Sequence, residues 1–101
     1  MHPYVRERLP QLTELCRQYH VKRLDLFGSG TGERFDPARS DLDFLVEYLP
    51  EGRGGFEPYF GLKESAEKLF GRKVDLVEAG AIDNRFFRAN LERSKELVYG
   101  R

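Results

Sequence analysis

The most constraining feature of this chain is a glycine turn followed, after a polar stretch, by two closely spaced acids. One apolar segment ends at Gly28-Ser29, and a second begins with Asp41-Leu42-Asp43. Acids spaced i, i+2 on a strand point to the same face of a sheet. Two carboxylates on one face repel each other unless a cation lies between them. The pattern therefore predicts two strands joined by a polar loop, with a cation-binding carboxylate pair at the start of the second strand.

The turn itself offers groups that bind phosphate. Gly28 lets backbone N–H groups approach a phosphate oxygen closely, and the Ser29 hydroxyl adds a donor. Thr31 extends the same cradle, whereas Ser40 either orients Asp41 or only begins the second strand. Phosphate-binding groups beside carboxylates of the kind that hold Mg²⁺ indicate nucleotide chemistry.

A third acid, Asp75, lies within the apolar segment 73–78. Burying a lone carboxylate in a strand is costly, so a cation partner is the economical explanation for it. Three cations, Arg39, Arg72 and Lys73, lie close in sequence to the acids and are candidates for phosphate contact. We therefore expect the third acid to complete the site formed by the first two.

Taken in order, Gly28-Ser29, Asp41-x-Asp43 and Asp75 resemble the nucleotidyltransferase superfamily related to DNA polymerase β. The short chain and the run over residues 35–47 resemble its minimal nucleotidyltransferases, small proteins typically encoded beside a HEPN-domain RNase toxin. The resemblance covers residues 20–99. It implies catalytic and metal-binding roles for Asp41, Asp43 and Asp75, two Mg²⁺ ions, and ATP as substrate. It also implies an antitoxin that transfers AMP to a tyrosine of a HEPN-family toxin partner.

Two other functions remain open at this point. One is a binding antitoxin that neutralises the toxin by occlusion without catalysis. The other is a small-molecule nucleotidyltransferase whose acceptor pocket is built between subunits. Neither a Ser-His-Asp nor a Cys-His arrangement is visible in the sequence, which disfavours covalent nucleophilic catalysis.

Composition limits the kinds of binding partner and the cellular compartment that we expect for this protein. The 101 residues include 17 basic and 17 acidic side chains, so no net charge favours nucleic acid, and we expect no direct nucleic-acid binding. The single cysteine, Cys16, fits a reducing compartment and is expected to be a small buried hydrophobe. No apolar stretch approaches the roughly 20 residues of a membrane span. We therefore expect a cytoplasmic protein with no membrane partner.

Hydrophobic periodicity predicts a single α/β (α+β) domain over residues 1–101. A helix is expected over residues 3–20, either kinked by Pro10 or beginning near it. Strands are expected over 21–27, 42–48 and 73–78, and helices over 58–70 and 82–95. Residues 97–99 add a short strand or cap the core. The predicted architecture is a small mixed β-sheet with helices packed on one side, as in the polymerase β-like nucleotidyltransferase fold.

Overall fold

A computed structural model describes residues 1–31, 36, 40–53, 55–82 and 84–100. Short 3₁₀ turns lie at Gly28–Thr31, Pro50–Gly52 and Ala79–Ala81. Within the described ranges the helices and strands are, in chain order, α1 (Pro3–Arg6), α2 (Leu9–Gln18), β1 (Val21–Phe27), β2 (Leu42–Tyr48), α3 (Phe56–Phe70), β3 (Val74–Glu78), α4 (Arg85–Ser94) and β4 (Glu96–Tyr99).

The strands form one mixed sheet in the order β3-β2-β1-β4. The β1 strand runs antiparallel to both β2 and β4, and β3 runs parallel to β2. The mixed sheet is as the sequence predicted. Residues 97–99 belong to a strand, because Leu97 pairs with Asp25 across β1 and β4.

The main core lies between one face of the sheet and helices α1, α2 and α3. Phe44 of β2 and Phe70 of α3 are its largest fully buried side chains, and their ring centroids lie 6.1 Å apart. Cys16 is buried here as expected, and burial raises the pKa of its thiol to about 12. Within the described residues, no helix combines the length and the apolar character needed to cross a bilayer.

Proline and glycine set the helix boundaries. Pro10 lies in the first turn of α2, where its missing N–H costs no intrahelical hydrogen bond. The expectation that the helix begins near Pro10 is therefore correct. A separate short helix, α1, precedes α2. At the end of α3, Gly71 adopts the left-handed conformation, with φ 65° and ψ 30°, that commonly terminates a helix.

Helix α4 packs on the face of the sheet opposite the other three helices. Leu91 of α4 is buried together with Leu45 of β2 and Ile82, and Phe27 and Val77 pack against them. The expectation that helices lie on one side is confirmed for α1–α3 and wrong for α4. The reason is that β2 is apolar on both faces, so each face needs a covering layer.

Candidate functional site

The parallel pairing of β2 and β3 brings two of the predicted acids together. In this ladder Asp43 pairs with Asp75, each being the second residue of its strand. Asp41 is exposed and lies two residues before Asp43, just ahead of β2. Strand alternation places Asp43 on the same face as Leu45, which is the face that α4 covers further along the sheet. The acids therefore gather where β2 and β3 begin.

The electrostatics of Asp43 reflect this crowding. Partial burial, a hydrogen bond with Asp75, and the negative charges of Asp75 and Asp41 together raise the pKa of Asp43 to about 6. Lys73 opposes the shift; its Nζ lies 3.8 Å from Oδ1 of Asp75. Without a cation, Asp43 thus holds its proton more tightly than an ordinary aspartate.

Gly28 lies directly against the same carboxylate. It follows Phe27, the register partner of Asp43 across the antiparallel β1–β2 pair, and it has φ +73°. A Cβ at this position would lie 2.6 Å from Oδ2 of Asp43, so a larger residue would collide with the acid. Glycine is therefore required both by the backbone conformation and by the space left beside Asp43.

Two hydroxyl residues of the predicted phosphate cradle make local contacts. The hydroxyl of Thr31 donates to the carbonyl oxygen of Gly28 at 2.8 Å and closes the 3₁₀ turn. The Ser40 hydroxyl accepts from the backbone N–H of Asp36 at 3.0 Å, before β2 begins. Ser40 therefore anchors the loop that leads to the acids. The side chain of Ser29 lies outside the described part of the structure.

The three neighbouring cations have different positions. Arg72 donates to the carbonyl oxygen of Ser40 at 2.9 Å, and its guanidinium lies 4.6 Å from the ring centroid of Tyr4. Arg72 thus ties the loop before β2 to the end of α3, whereas Lys73 lies beside Asp75. Arg39 lies outside the described residues.

The donor set fits Mg²⁺ bound together with phosphate. Across the described ranges, no three Asp, Glu, His or Cys side chains are already grouped closely enough to hold a metal ion. Mg²⁺, however, typically takes one or two carboxylates and completes its shell with water and substrate phosphates. The adjacent Asp43 and Asp75 provide such oxygens, and the pKa of Asp43 is raised by partial burial and by its contacts with Asp75 and Asp41 despite the opposing charge of Lys73.

One buried acid near the site was not anticipated from the sequence. Asp25 is only 2 % exposed, and it accepts from Nε and Nη2 of Arg23 at 2.9 and 3.2 Å. Lys95 Nζ lies 3.9 Å away, beside a cavity of about 250 Å³ between α4 and the sheet. Alternation along β1 correctly separated Asp25 from Leu24 and Leu26, but the layer covering it was missed. The two-sided apolar pattern of β2 was the signal for that layer.

Comparison with known proteins identifies related sequences and folds. The nucleotidyltransferase domain family model matches residues 10–98. A candidate protein adenylyltransferase of Methanocaldococcus jannaschii, MJ1379, is 36 % identical over 83 residues, covering 81 % of this chain and 79 % of that protein. A solved structure described as a candidate minimal nucleotidyltransferase has a TM-score of 0.75 at 26 % identity, over 91 % of this chain and 90 % of the other.

A more distant neighbour comes from a complex. It is one chain of a solved complex, which is described as the tri-AMPylated Shewanella oneidensis HEPN toxin in complex with MNT antitoxin. The TM-score is 0.69 at 15 % identity, over 95 % of this chain and 72 % of that one. At this identity the likeness establishes a shared fold.

Proposed function

Because this chain belongs to the nucleotidyltransferase family, we propose that it transfers AMP from ATP to a tyrosine hydroxyl of a HEPN-family RNase toxin. The observation that carries the proposal is the Asp43–Asp75 pair, in register across β2 and β3 and in contact range of the Gly28 turn. The relative from Methanocaldococcus jannaschii, named for protein adenylyl transfer, supports the reaction. The AMPylated toxin in the Shewanella oneidensis complex supports the kind of partner.

Asp41, Asp43 and Asp75 are the residues that would hold Mg²⁺. Their oxygen atoms suit that ion. Partial burial raises the pKa of Asp43 most, and a bound cation would relieve the repulsion from Asp75 and Asp41 that adds to this shift. When bound, Mg²⁺ neutralises charge on the triphosphate and makes the acceptor hydroxyl more acidic.

The protein groups then position the reactants. The Gly28 turn, which we propose is extended by Ser29, Thr31 and Ser40, holds the triphosphate with its backbone close to the acids. The acceptor oxygen forms a bond to the α-phosphorus while the bond from that phosphorus to the bridging oxygen breaks, and pyrophosphate leaves. Asp75, whose side chain is 47 % exposed, would take the proton released by the acceptor. Such catalysis consists of positioning and charge neutralisation.

Coexpression with the product of the neighbouring gene, which we expect to be a HEPN-family protein, tests the proposal. Intact-mass measurement of that partner should show one or more added AMP groups located on tyrosine. The matched control is the Asp41→Asn/Asp43→Asn double variant, which keeps the shape of both side chains and should leave the partner unmodified.

The two other outcomes each contradict the proposal. A partner that is neutralised but carries no AMP would make this chain an antitoxin that acts by occlusion. AMP found on a small molecule, with no change to the partner, would make it a small-molecule nucleotidyltransferase.

A further inference from the structure

The first turn of α4 lies near the end of the sheet where Asp43 and Asp75 pair. Leu91 packs with Leu45, and Phe87 precedes Leu91 by one helical turn on the same side of the helix. Asp43 precedes Leu45 by two residues on the same face of β2. One helical turn spans about 5.4 Å and two strand residues span about 6.7 Å, so the two steps are similar in length. The contact between Phe87 and Phe27, the register partner of Asp43, shows that both steps lead towards the acidic end of the sheet.

A direct contact fixes this placement. The ring of Phe87 meets that of Phe27 edge to face, with centroids 6.3 Å apart and ring planes at 84°. Phe27 is the register partner of Asp43 and packs on the α4 side of the sheet. The two rings thus form an aromatic wall on the β1 side of Asp43, while Asp75 lies on its β3 side.

Part of this wall is open to solvent. Phe87 is 42 % exposed, although phenylalanine is among the residue types most often buried. The edge-to-face geometry covers an edge of one ring and leaves ring surface free to stack against a third aromatic group. An open aromatic surface beside a proposed phosphate site is suited to a flat ring in the substrate.

We propose that the Phe27–Phe87 wall receives the nucleobase of ATP. The inference rests on the proposed function, because it needs a triphosphate held at the Gly28 turn. Gly28 directly follows Phe27 in the chain, so one short segment would contact both the phosphates and the base. Stacking on an aromatic side chain tolerates any base, so the wall would strengthen nucleotide binding with little preference for one base.

Equilibrium binding in the presence of Mg²⁺ tests this role, using ATP and inorganic tripolyphosphate as paired probes. Phe87→Leu keeps an apolar side chain of similar reach but removes the ring, and Phe87→Tyr keeps the ring. Phe87→Leu should weaken ATP binding about tenfold and leave tripolyphosphate binding within about twofold. Phe87→Tyr should bind both probes like the wild type. Phe56→Leu, which alters a phenylalanine that is 78 % exposed on α3, is the control and should change neither affinity.

Three results would overturn the inference. An equal loss for both probes would mean that Phe87 only shapes the phosphate site. Unchanged ATP affinity in Phe87→Leu would exclude a base contact. If the KM of the acceptor then rises in this variant, the wall contacts the acceptor ring instead of the base. Failure of wild-type protein to bind either probe would overturn this inference and the nucleotide site together. The expected binding pattern without any AMP transfer would uphold the base contact and overturn only the proposed reaction.

Discussion

Asp43 and Asp75 are direct neighbours across the parallel β2–β3 pair, and their carboxyl groups share a hydrogen bond. Partial burial raises the pKa of Asp43 to about 6 in the absence of a cation, and this hydrogen bond, which needs a proton, adds to the shift. Mg²⁺ bound by these carboxylates would take the place of this proton. The same two side chains therefore connect the stability of the metal-free protein to its proposed activity.

The contribution of Asp43 to the stability of the metal-free protein should fall as pH rises from about 4 to about 6. The unfolded pKa of aspartate is about 3.9, so in this window the folded state binds more protons than the unfolded state. The stabilising contribution of that proton is complete near pH 4 and lost above pH 6. In EDTA, Asp43→Asn should therefore raise the melting temperature by a few degrees at about pH 7.5 and by less at about pH 4.5.

The control for this prediction is Glu64→Gln, which neutralises an exposed acid on α3. Thermal denaturation of this variant should show no comparable change in its pH dependence. An Asp43→Asn protein that melts below the wild type at pH 7.5 would contradict the assignment of electrostatic strain to Asp43.

Gly28→Ala should reduce nucleotidyl transfer at least tenfold, whereas Gly71→Ala should preserve the rate. Both glycines have positive φ, so both substitutions should cost about 1–2 kcal/mol in the free energy of unfolding. Only at Gly28 would the new methyl group meet Oδ2 of Asp43; at Gly71 no heavy atom lies within 4 Å. Denaturant melts and rate assays of the two variants separate backbone strain from collision with the acid. Equal transfer rates would argue against a role for the close approach.

Mg²⁺ and ATP together should raise the melting temperature by more than the sum of their separate effects. The carboxylates and the triphosphate each complete the coordination of the ion, and ligands that bind only the folded state stabilise it by mass action. The measurement is a thermal shift series with Mg²⁺, ATP, both, and both with excess EDTA. A shift from ATP that EDTA leaves unchanged would contradict a metal-dependent nucleotide site.

Asp25→Ala should lower the free energy of unfolding by about 2–3 kcal/mol. The substitution leaves Arg23 and the largely buried Lys95 without their buried carboxylate, and the partial exposure of Arg23 reduces the cost. Glu14→Ala removes an exposed ion pair with Arg17 and should change stability by less than about 1 kcal/mol. Urea denaturation measures both values. Similar values for the two variants would show that burial adds nothing to the Asp25 interaction.

Local patterns in the sequence predicted most of the fold, because the features concerned act over short range. Pro10 and Gly71 mark helix ends through their own backbone restrictions. Alternation identified β1, and a nearly continuous apolar run identified β2. The layer formed by α4 was missed, since its position depends on which strand face Leu91 covers. The burial of Asp25 was missed for the same reason.

Part of the candidate site could likewise be predicted from local sequence patterns, and part could not. Spacing alone placed Asp41 and Asp43 on one side of a strand, and the recurrence of an acid in the third strand suggested Asp75. That Asp75 pairs with Asp43 depends on the parallel register of β2 and β3, which no local pattern encodes. The aromatic wall of Phe27 and Phe87 likewise arises only when α4 packs across the sheet.

The most direct test of the central claim follows the α-phosphorus of ATP. This chain is incubated with Mg²⁺, the proposed HEPN-family partner and ATP labelled at either the α- or the γ-phosphorus. The account predicts that α-label becomes covalently attached to the partner, that γ-label does not, and that Asp41→Asn/Asp43→Asn transfers neither. Wild-type protein that attaches no α-label, or a double variant that labels the partner at the wild-type rate, would contradict the claim that these carboxylates carry nucleotidyl transfer.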